Sequence, residues 1–287
     1  MSLFLFVSTA LIWATGAFAT TLQAGIVPIP VSVGYRMLLM TVAMLAVIFV
    51  TRTPLRVRRT DVPWLVVHAT TFFALNFICF YNATTYIPSG VATLALSTSP
   101  IFATIIGFLV LRETVRPRAI LGMVIGIGGL GLIVAPDLAD LSDGSTLLFG
   151  MLWALGASFG TAVGTVIGAR NQRAGVPPFA TNFWGALGGA GIGFGLALAG
   201  GLPIVIDWSL RYIGSLLYLG IAASCVAFLM FFSLVTRIGP GRAAYIFTVV
   251  PVIALLISTV LEGVELTAII VGGTAMILTG NVLVLKR

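Results

Sequence analysis

The chain has 287 residues, of which 59% are hydrophobic and only 8% charged, with a net charge of +7. A soluble domain carries about 25% charged residues, so this composition excludes soluble globular domains. The basic excess then reads as a signal of loop orientation, and no nucleic-acid partner is expected.

Ten apolar runs are predicted as membrane-crossing helices, over 3–24, 31–50, 63–85, 89–111, 117–135, 146–168, 178–200, 211–234, 240–261 and 267–285. Each holds about 19 to 24 residues, enough at roughly 1.5 Å per residue to cross a ~30 Å hydrocarbon core. The N-terminus lacks the basic region and cleavage motif of a signal peptide, so the first span is expected to stay in the mature protein. Short connections marked by Pro28, Pro30, Pro54, Pro88, Pro136, Pro177, Pro203 and Pro240 leave no room for a soluble domain. Cys79 and Cys225 both lie in apolar runs and read as small core residues, neither a disulfide nor a metal pair.

Arg52, Arg56, Arg58 and Arg59 follow the second span, and Arg112, Arg116 and Arg118 the fourth. Arg170 and Arg173 follow the sixth, Arg237 and Arg242 the eighth, and Lys286 and Arg287 close the chain. Only Arg36, inside a span, and Arg211, at the other end, depart from that side. The positive-inside rule makes it cytoplasmic, with both termini inside. Asp137, Asp140, Asp143, Asp207, Glu262 and Glu265 fall on the outer side.

The stretch from Tyr86 to Pro136 returns 151 residues later. Without a gap, Ile87, Gly90, Ala92, Pro100, Ala103, Ile106, Gly122, Gly129 and Leu132 fall on Ile238, Gly241, Ala243, Pro251, Ala254, Ile257, Gly273, Gly280 and Leu283. Around the start of each half, Leu11-Ile12-Trp13-Ala14 also matches Met151-Leu152-Trp153-Ala154. Five spans per half is an odd number, so the second half enters the membrane from the opposite side. The expected fold is all-α, with ten transmembrane helices as two inverted five-helix repeats. It forms one membrane domain, with repeat one over 1–136, an external connection over 137–145 and repeat two over 146–287. Such repeats build alternating-access transporters with the substrate site near the midplane.

The 5+5 arrangement, the P-x-x-A-x-x-x-x-x-x-L-x-E run from Pro100 to Glu113 and its glycine-rich follower resemble the EamA family of the drug/metabolite transporter superfamily. ALNFICFYNATTYIPSG (74–90) is similar to the third-to-fourth-span passage of amino-acid exporters, the aromatic amino-acid exporter branch above all. The resemblance implies export of small metabolites from a bacterial inner membrane. In the second half Val264 takes the place of Glu113, with Glu262 and Glu265 flanking it.

Pro100 and Pro251 each fall near the middle of a span. Proline there loses a helix bond and clashes one turn back, so paired kinks around a central cavity are expected. Ser97, Thr98, Ser99 and Thr248 stand in the same turns to satisfy the freed carbonyls. Glycines at four-residue spacing (Gly156, Gly160, Gly164, Gly168; Gly185, Gly189, Gly193; Gly122, Gly126) read as close helix packing. Gly156-Ala157-Ser158-Phe159-Gly160 matches the G-x-S-x-G nucleophile pattern, but a helix offers no strand–turn–helix elbow, so no enzyme is expected.

Arg36 and His68 are the residues inside spans able to carry charge, which makes both functional candidates. Arg36 sits within reach of the outer surface, and His68 about two turns from the cytoplasmic one. The candidate substrate lining is Trp13, His68, Asn76, Tyr81, Ser97, Thr98, Trp153, Ser158, Tyr245 and Thr248. That set suits an amino acid with a large apolar or aromatic side chain. His68, the single histidine, is the one candidate proton carrier, with an unperturbed pKa of about 6.5. Placed close to one surface, it favours facilitated movement over obligatory proton coupling. Proton-coupled efflux through His68 is the alternative; a non-transporting membrane scaffold is the reading from a different class. Neither cofactor nor metal is expected, and a monomer is the favoured stoichiometry.

Overall fold

The computed structural model describes residues 2–112, 114–139, 146–239, 243 and 245–285. Ten helical units follow one another: α1 (Ser2–Thr21), α2 (Ile29–Thr51), α3 (Arg59–Tyr86), α4 (Ser89–Leu111), α5 (Pro117–Ala139), α6 (Thr146–Arg173), α7 (Pro178–Ala199), α8 (Leu210–Ile238), α9 (Ile246–Leu261) and α10 (Ala268–Leu285). Among the described residues nine are long and apolar enough to cross a membrane, and the apolar α9 is shorter. Glu113, residues 140–145 of the connecting segment, Pro240, Arg242, Lys286 and Arg287 lie outside the described residues.

Local signals place the ends. Proline occupies the first turn of α2 and α7, where a missing N–H costs nothing. The Ser209 side chain caps α8 by accepting from the Tyr212 amide at 3.2 Å. Arg52 and Arg112 close α2 and α4 in the left-handed conformation, with φ of 52° and 56°. Several helices outrun their apolar segments, α5 to Ala139 and α8 to Ile238 among them, and two do so together. α3 begins at Arg59, four residues before the expected 63, and α6 runs to Arg173 instead of 168. The reason is an ion pair that hydropathy does not register: Arg170 donates to the buried Asp61 at 2.5 Å, which extends both helices by a polar turn. The Arg170 guanidinium also lies 4.8 Å over the Trp64 ring.

Helix pairing follows the repeat. α5 packs on α10, α2 on α7 and α4 on α9. α3 lies against α6 and α7, as α8 lies against α1 and α2; α4 meets α6 as α9 meets α1. Each pair becomes another, or itself, when five is added to or subtracted from the helix numbers. The α5–α10 crossing gives the direction. A Cβ on Gly122 would stand 2.6 Å from the Gly280 carbonyl oxygen, and one on Gly129 2.6 Å from that of Gly273. Gly122 and Gly273 are repeat equivalents, as are Gly129 and Gly280. Position i of one half therefore meets position j of the other, and j meets i, which is the signature of a two-fold contact. The contacts run antiparallel, so the halves are inverted.

The repeat extends to a feature that hydropathy did not announce. The middle of α3 (Ala69–Leu75) and of α8 (Tyr218–Val226) winds as π-helix. Adding 151 to 69–75 gives 220–226, so the widened turn occupies equivalent positions in both halves. Widened turns of this kind concentrate at functional sites.

Candidate functional site

The seam between the halves is where polar side chains meet. Most long-range side-chain hydrogen bonds join a residue of the first half to one of the second, which is how helices in lipid are held where no hydrophobic effect drives them together. Thr98 and Ser158, buried on α4 and α6, pair at 3.0 Å between hydroxyl oxygens. Trp13 Nε1 on α1 donates to the Ala223 carbonyl in the π-turn of α8 at 3.1 Å. The Trp13 indole stacks on Phe247 (centroids 5.5 Å apart) and meets Phe231 and Phe228 at 5.4 and 5.6 Å. Together they form an aromatic box from α1, α8 and α9.

Pro100 stands where α4 breaks. The helix stops at Leu96 and restarts at Ser99, with Pro100 in the first turn of the second piece. Three carbonyls at the break are taken by side chains: Ser97 Oγ donates to Leu94 O (2.6 Å), Thr98 Oγ1 to Ala95 O (2.7 Å) and Asn281 Nδ2 to Ser97 O (2.8 Å). Pro251 lies inside an uninterrupted α9. The expected matched pair is thus unequal, and the repeat explains why. The equivalents of Ser97, Thr98 and Asn281 are Thr248, Val249 and Leu130. Only the first offers a polar side chain, and Thr248 Oγ1 is itself buried without a partner. Lipid does not tolerate broken helix bonds left open, so α9 stays continuous.

His68 is buried at the last residue before the π-turn of α3. Its Nδ1 donates to the Gly164 carbonyl of α6 at 2.9 Å, and its ring stacks on Phe72 and meets Phe73 edge-on, both at 5.3 Å. Because α3 starts at Arg59, His68 lies about 13 Å along the helix at ~1.5 Å per residue. Asn76, closing the same π-turn, donates to Phe72 O at 3.3 Å and leaves its Oδ1 buried without a partner. The repeat equivalents of His68 and Asn76 are Leu219 and Ala227. The polar character of this turn therefore belongs to the first half alone.

The remaining candidates separate. Tyr81 is buried, and its hydroxyl donates to Gln23 Oε1 at 2.7 Å near the α1–α2 turn. Trp153 and Tyr245 are 38% and 39% exposed, whereas Thr98 and Ser158 are buried. The G-x-S-x-G pattern lies within α6, where its glycines let α3 approach: a Cβ on Gly160 would meet the Thr71 carbonyl oxygen at 2.8 Å. Asn281, Ser224 and the phenylalanines of the aromatic box were not read as site residues. Among them only Asn281 carried a signal, as an amide inside an apolar span.

With this geometry in place, comparison with known proteins is specific. Residues 1–135 and 148–286 each match the model of the EamA-like transporter family. The chain belongs to the EamA-like transporter family. It is 23% identical over 280 residues to the uncharacterized transporter YoaV of Bacillus subtilis (strain 168), covering 96% of this chain and 93% of that one. An uncharacterized transporter of Archaeoglobus fulgidus is 26% identical over 205 residues, 70% of each chain. One solved crystal structure superimposes with a TM-score of 0.67 over 99% of this chain and 96% of its own, at 18% identity, a likeness of fold. The chain is an integral membrane transporter of this family.

Proposed function

We propose that this transporter exports small amphipathic metabolites by alternating access, amino acids with large apolar or aromatic side chains first among them. The observation that carries this reading is the make-up of the seam between the inverted halves. An aromatic box around Trp13 and paired hydroxyls at Thr98 and Ser158 stand beside a helix broken at Pro100. Apolar surface with a few fixed polar groups suits an amino acid bearing a large side chain, which also fits the resemblance to aromatic amino-acid exporters. The reading has both termini in the cytoplasm, supported by the basic residues after spans two, four, six, eight and ten, and a bacterial inner membrane by the family resemblance.

Two experiments test this. Single cysteines at Asp140→Cys and Arg173→Cys should react with an impermeant reagent from opposite sides of the membrane. Reaction from the same side would reverse the assignment of one end. Proteoliposomes loaded with phenylalanine, leucine or alanine should release phenylalanine and leucine with no pH gradient or potential. Trp13→Ala should slow phenylalanine release by about tenfold, given ~0.5–1.5 kcal/mol for each lost aromatic pair. No release of any amino acid would discard the substrate class and favour the scaffold reading.

A second reading, proton-coupled efflux, is favoured by one observation: buried His68 bridges the two halves through Gly164. Facilitated movement predicts that His68→Gln leaves release from loaded vesicles intact. Uphill accumulation driven by a pH gradient and lost in that variant would establish coupling instead.

A further inference from the structure

Arg36 lies on α2 with only 6% of its surface exposed. Its Nε donates to Ser224 Oγ in the π-turn of α8 at 3.3 Å, its guanidinium lies 4.2 Å over the Phe77 ring, and the Tyr81 hydroxyl stands beside it. None of these neighbours carries a negative charge. Among the described residues no carboxylate is within ion-pairing distance of Arg36; Asp61 pairs with Arg170. Asp207, the acidic residue just before α8, accepts from the Ser209 amide at 2.8 Å. A buried cation with hydrogen bonds but no counter-charge is costly in a medium of low dielectric. Its cost is lifted whenever an anion arrives.

A place for that anion adjoins it. A cavity of about 220 Å³ opens beside the α1–α2 turn, lined among others by Thr20, Gln23, Ser32, Tyr81, Thr84 and Thr85. Its rim residues Ala24 and Gly25 are exposed, while Gln23, Ser32 and Tyr81 are buried. Arg36 is not itself in the lining; it lies one helical turn from Ser32 on the same face of α2 and beside the Tyr81 hydroxyl, both of which line the cavity. Gln23 holds Tyr81 through its Oε1 and keeps its Nε2 buried with no partner. The Ser32 hydroxyl meets that of Tyr212 across the halves at 2.9 Å. The cavity thus offers an unused amide donor and hydroxyls, with no acidic side chain in its lining and one fixed positive charge directly behind Tyr81.

We propose that this cavity is a carboxylate-recognition site, in which Arg36 supplies the counter-charge and Gln23 Nε2 a hydrogen bond to the carboxylate of a small organic acid. It rests on the reading of the chain as a carrier of small metabolites and names the group by which they are held. Because α2 and α3 on one side and α8 on the other surround Arg36, an anion there bears on contacts between the halves.

Binding to detergent-purified full-length protein tests this without any transport step. Benzoate is compared with benzamide, and leucine with leucinamide, by the shift in thermal unfolding across a titration. The member of each pair that carries the carboxylate should bind about tenfold tighter or more, as a charge-assisted hydrogen bond implies. Arg36→Gln should abolish that preference, and Arg36→Lys should keep part of it. Equal binding of acid and amide by the natural protein overturns the proposal, as does a preference that survives Arg36→Gln. Tighter binding of inorganic phosphate than of benzoate overturns the carboxylate assignment. Should Arg36→Gln fail to fold, Gln23→Leu must weaken benzoate and leave benzamide unchanged; unaltered benzoate binding overturns the proposal. An Arg36-dependent preference in protein that releases no amino acid from vesicles would sink the amino-acid reading and leave this site standing.

Discussion

Gly280→Leu should abolish the folded transporter, with no monodisperse protein recovered from detergent. The glycine faces Gly122 so closely that an added Cβ would stand 2.5 Å from the Gly122 carbonyl oxygen and 2.7 Å from the Gly126 amide nitrogen. These are backbone atoms of a helix, which cannot turn aside as a side chain can. Accommodating even one methyl group requires α5 and α10 to separate along their whole contact. Overpacking in a rigid core typically costs about 1–3 kcal/mol, and here the loss of neighbouring contacts at Gly129 and Gly273 adds to it. Gly131→Leu is the control, because a Cβ there meets nothing within 4 Å. It should purify like the natural protein, as measured by size-exclusion profile and thermal unfolding. Equal recovery of both variants would show that the α5–α10 crossing does not hold the halves together.

Glu262→Ala should produce the second large effect, on the tie between α4 and α9. The Glu262 carboxylate accepts from the Ser89 amide at 3.1 and 3.2 Å and from the Ser89 hydroxyl at 2.6 Å, and it also accepts from the Ser258 hydroxyl. Ser258 Oγ in turn accepts from the Gly90 amide at 2.7 Å. Side chains of α9 thereby cap the first turn of α4, where helix N–H groups lack partners and the dipole favours a negative charge. Ser89 and Ser258 are both buried, at 1% and 0% exposed. Removing the carboxylate leaves the buried Ser89 amide open, at about 1–3 kcal/mol, while the Ser89 hydroxyl keeps Ser258 Oγ within 3.2 Å. Unfolding of Glu262→Ala in detergent should come several degrees earlier. A cysteine at Thr93→Cys should become more reactive as the two helix ends part. Glu262→Gln keeps an acceptor oxygen and should recover part of both. Unchanged reactivity in Glu262→Ala would mean that the tie does not set the spacing of these helices.

Glu262 also illustrates what could and could not be read beforehand. Its position in the sequence marks it only as one of several acids at a span end, flanking Val264 at the place equivalent to Glu113. Its work depends on Ser89, 173 residues away. Arg36 and His68 were legible as residues out of place in lipid, because the cost of a charged or titratable group in hydrocarbon holds whatever the fold. What surrounds them was not. The Ser224, Phe77 and Tyr81 neighbours of Arg36 come from two other helices, and the Gly164 carbonyl that His68 meets comes from α6.

By itself the amino-acid sequence determined the number and limits of most spans, the two-half organisation and the glycines at the helix crossings. The physical reason is that lipid offers no hydrogen bonds, so each apolar run must close its backbone as a helix whatever its neighbours are. A repeat with an odd number of crossings can then only be inverted. Tertiary structure alone decided which face of each helix looks inward, because helices that are apolar all round carry no stripe to orient them. It therefore decided that Trp13 and Ser158 stand at the seam while Trp153 and Tyr245 stay exposed. It also decided that Asn281 lets α4 break at Pro100 where α9 runs on through Pro251, since a helix can open only where another side chain reaches its freed carbonyls.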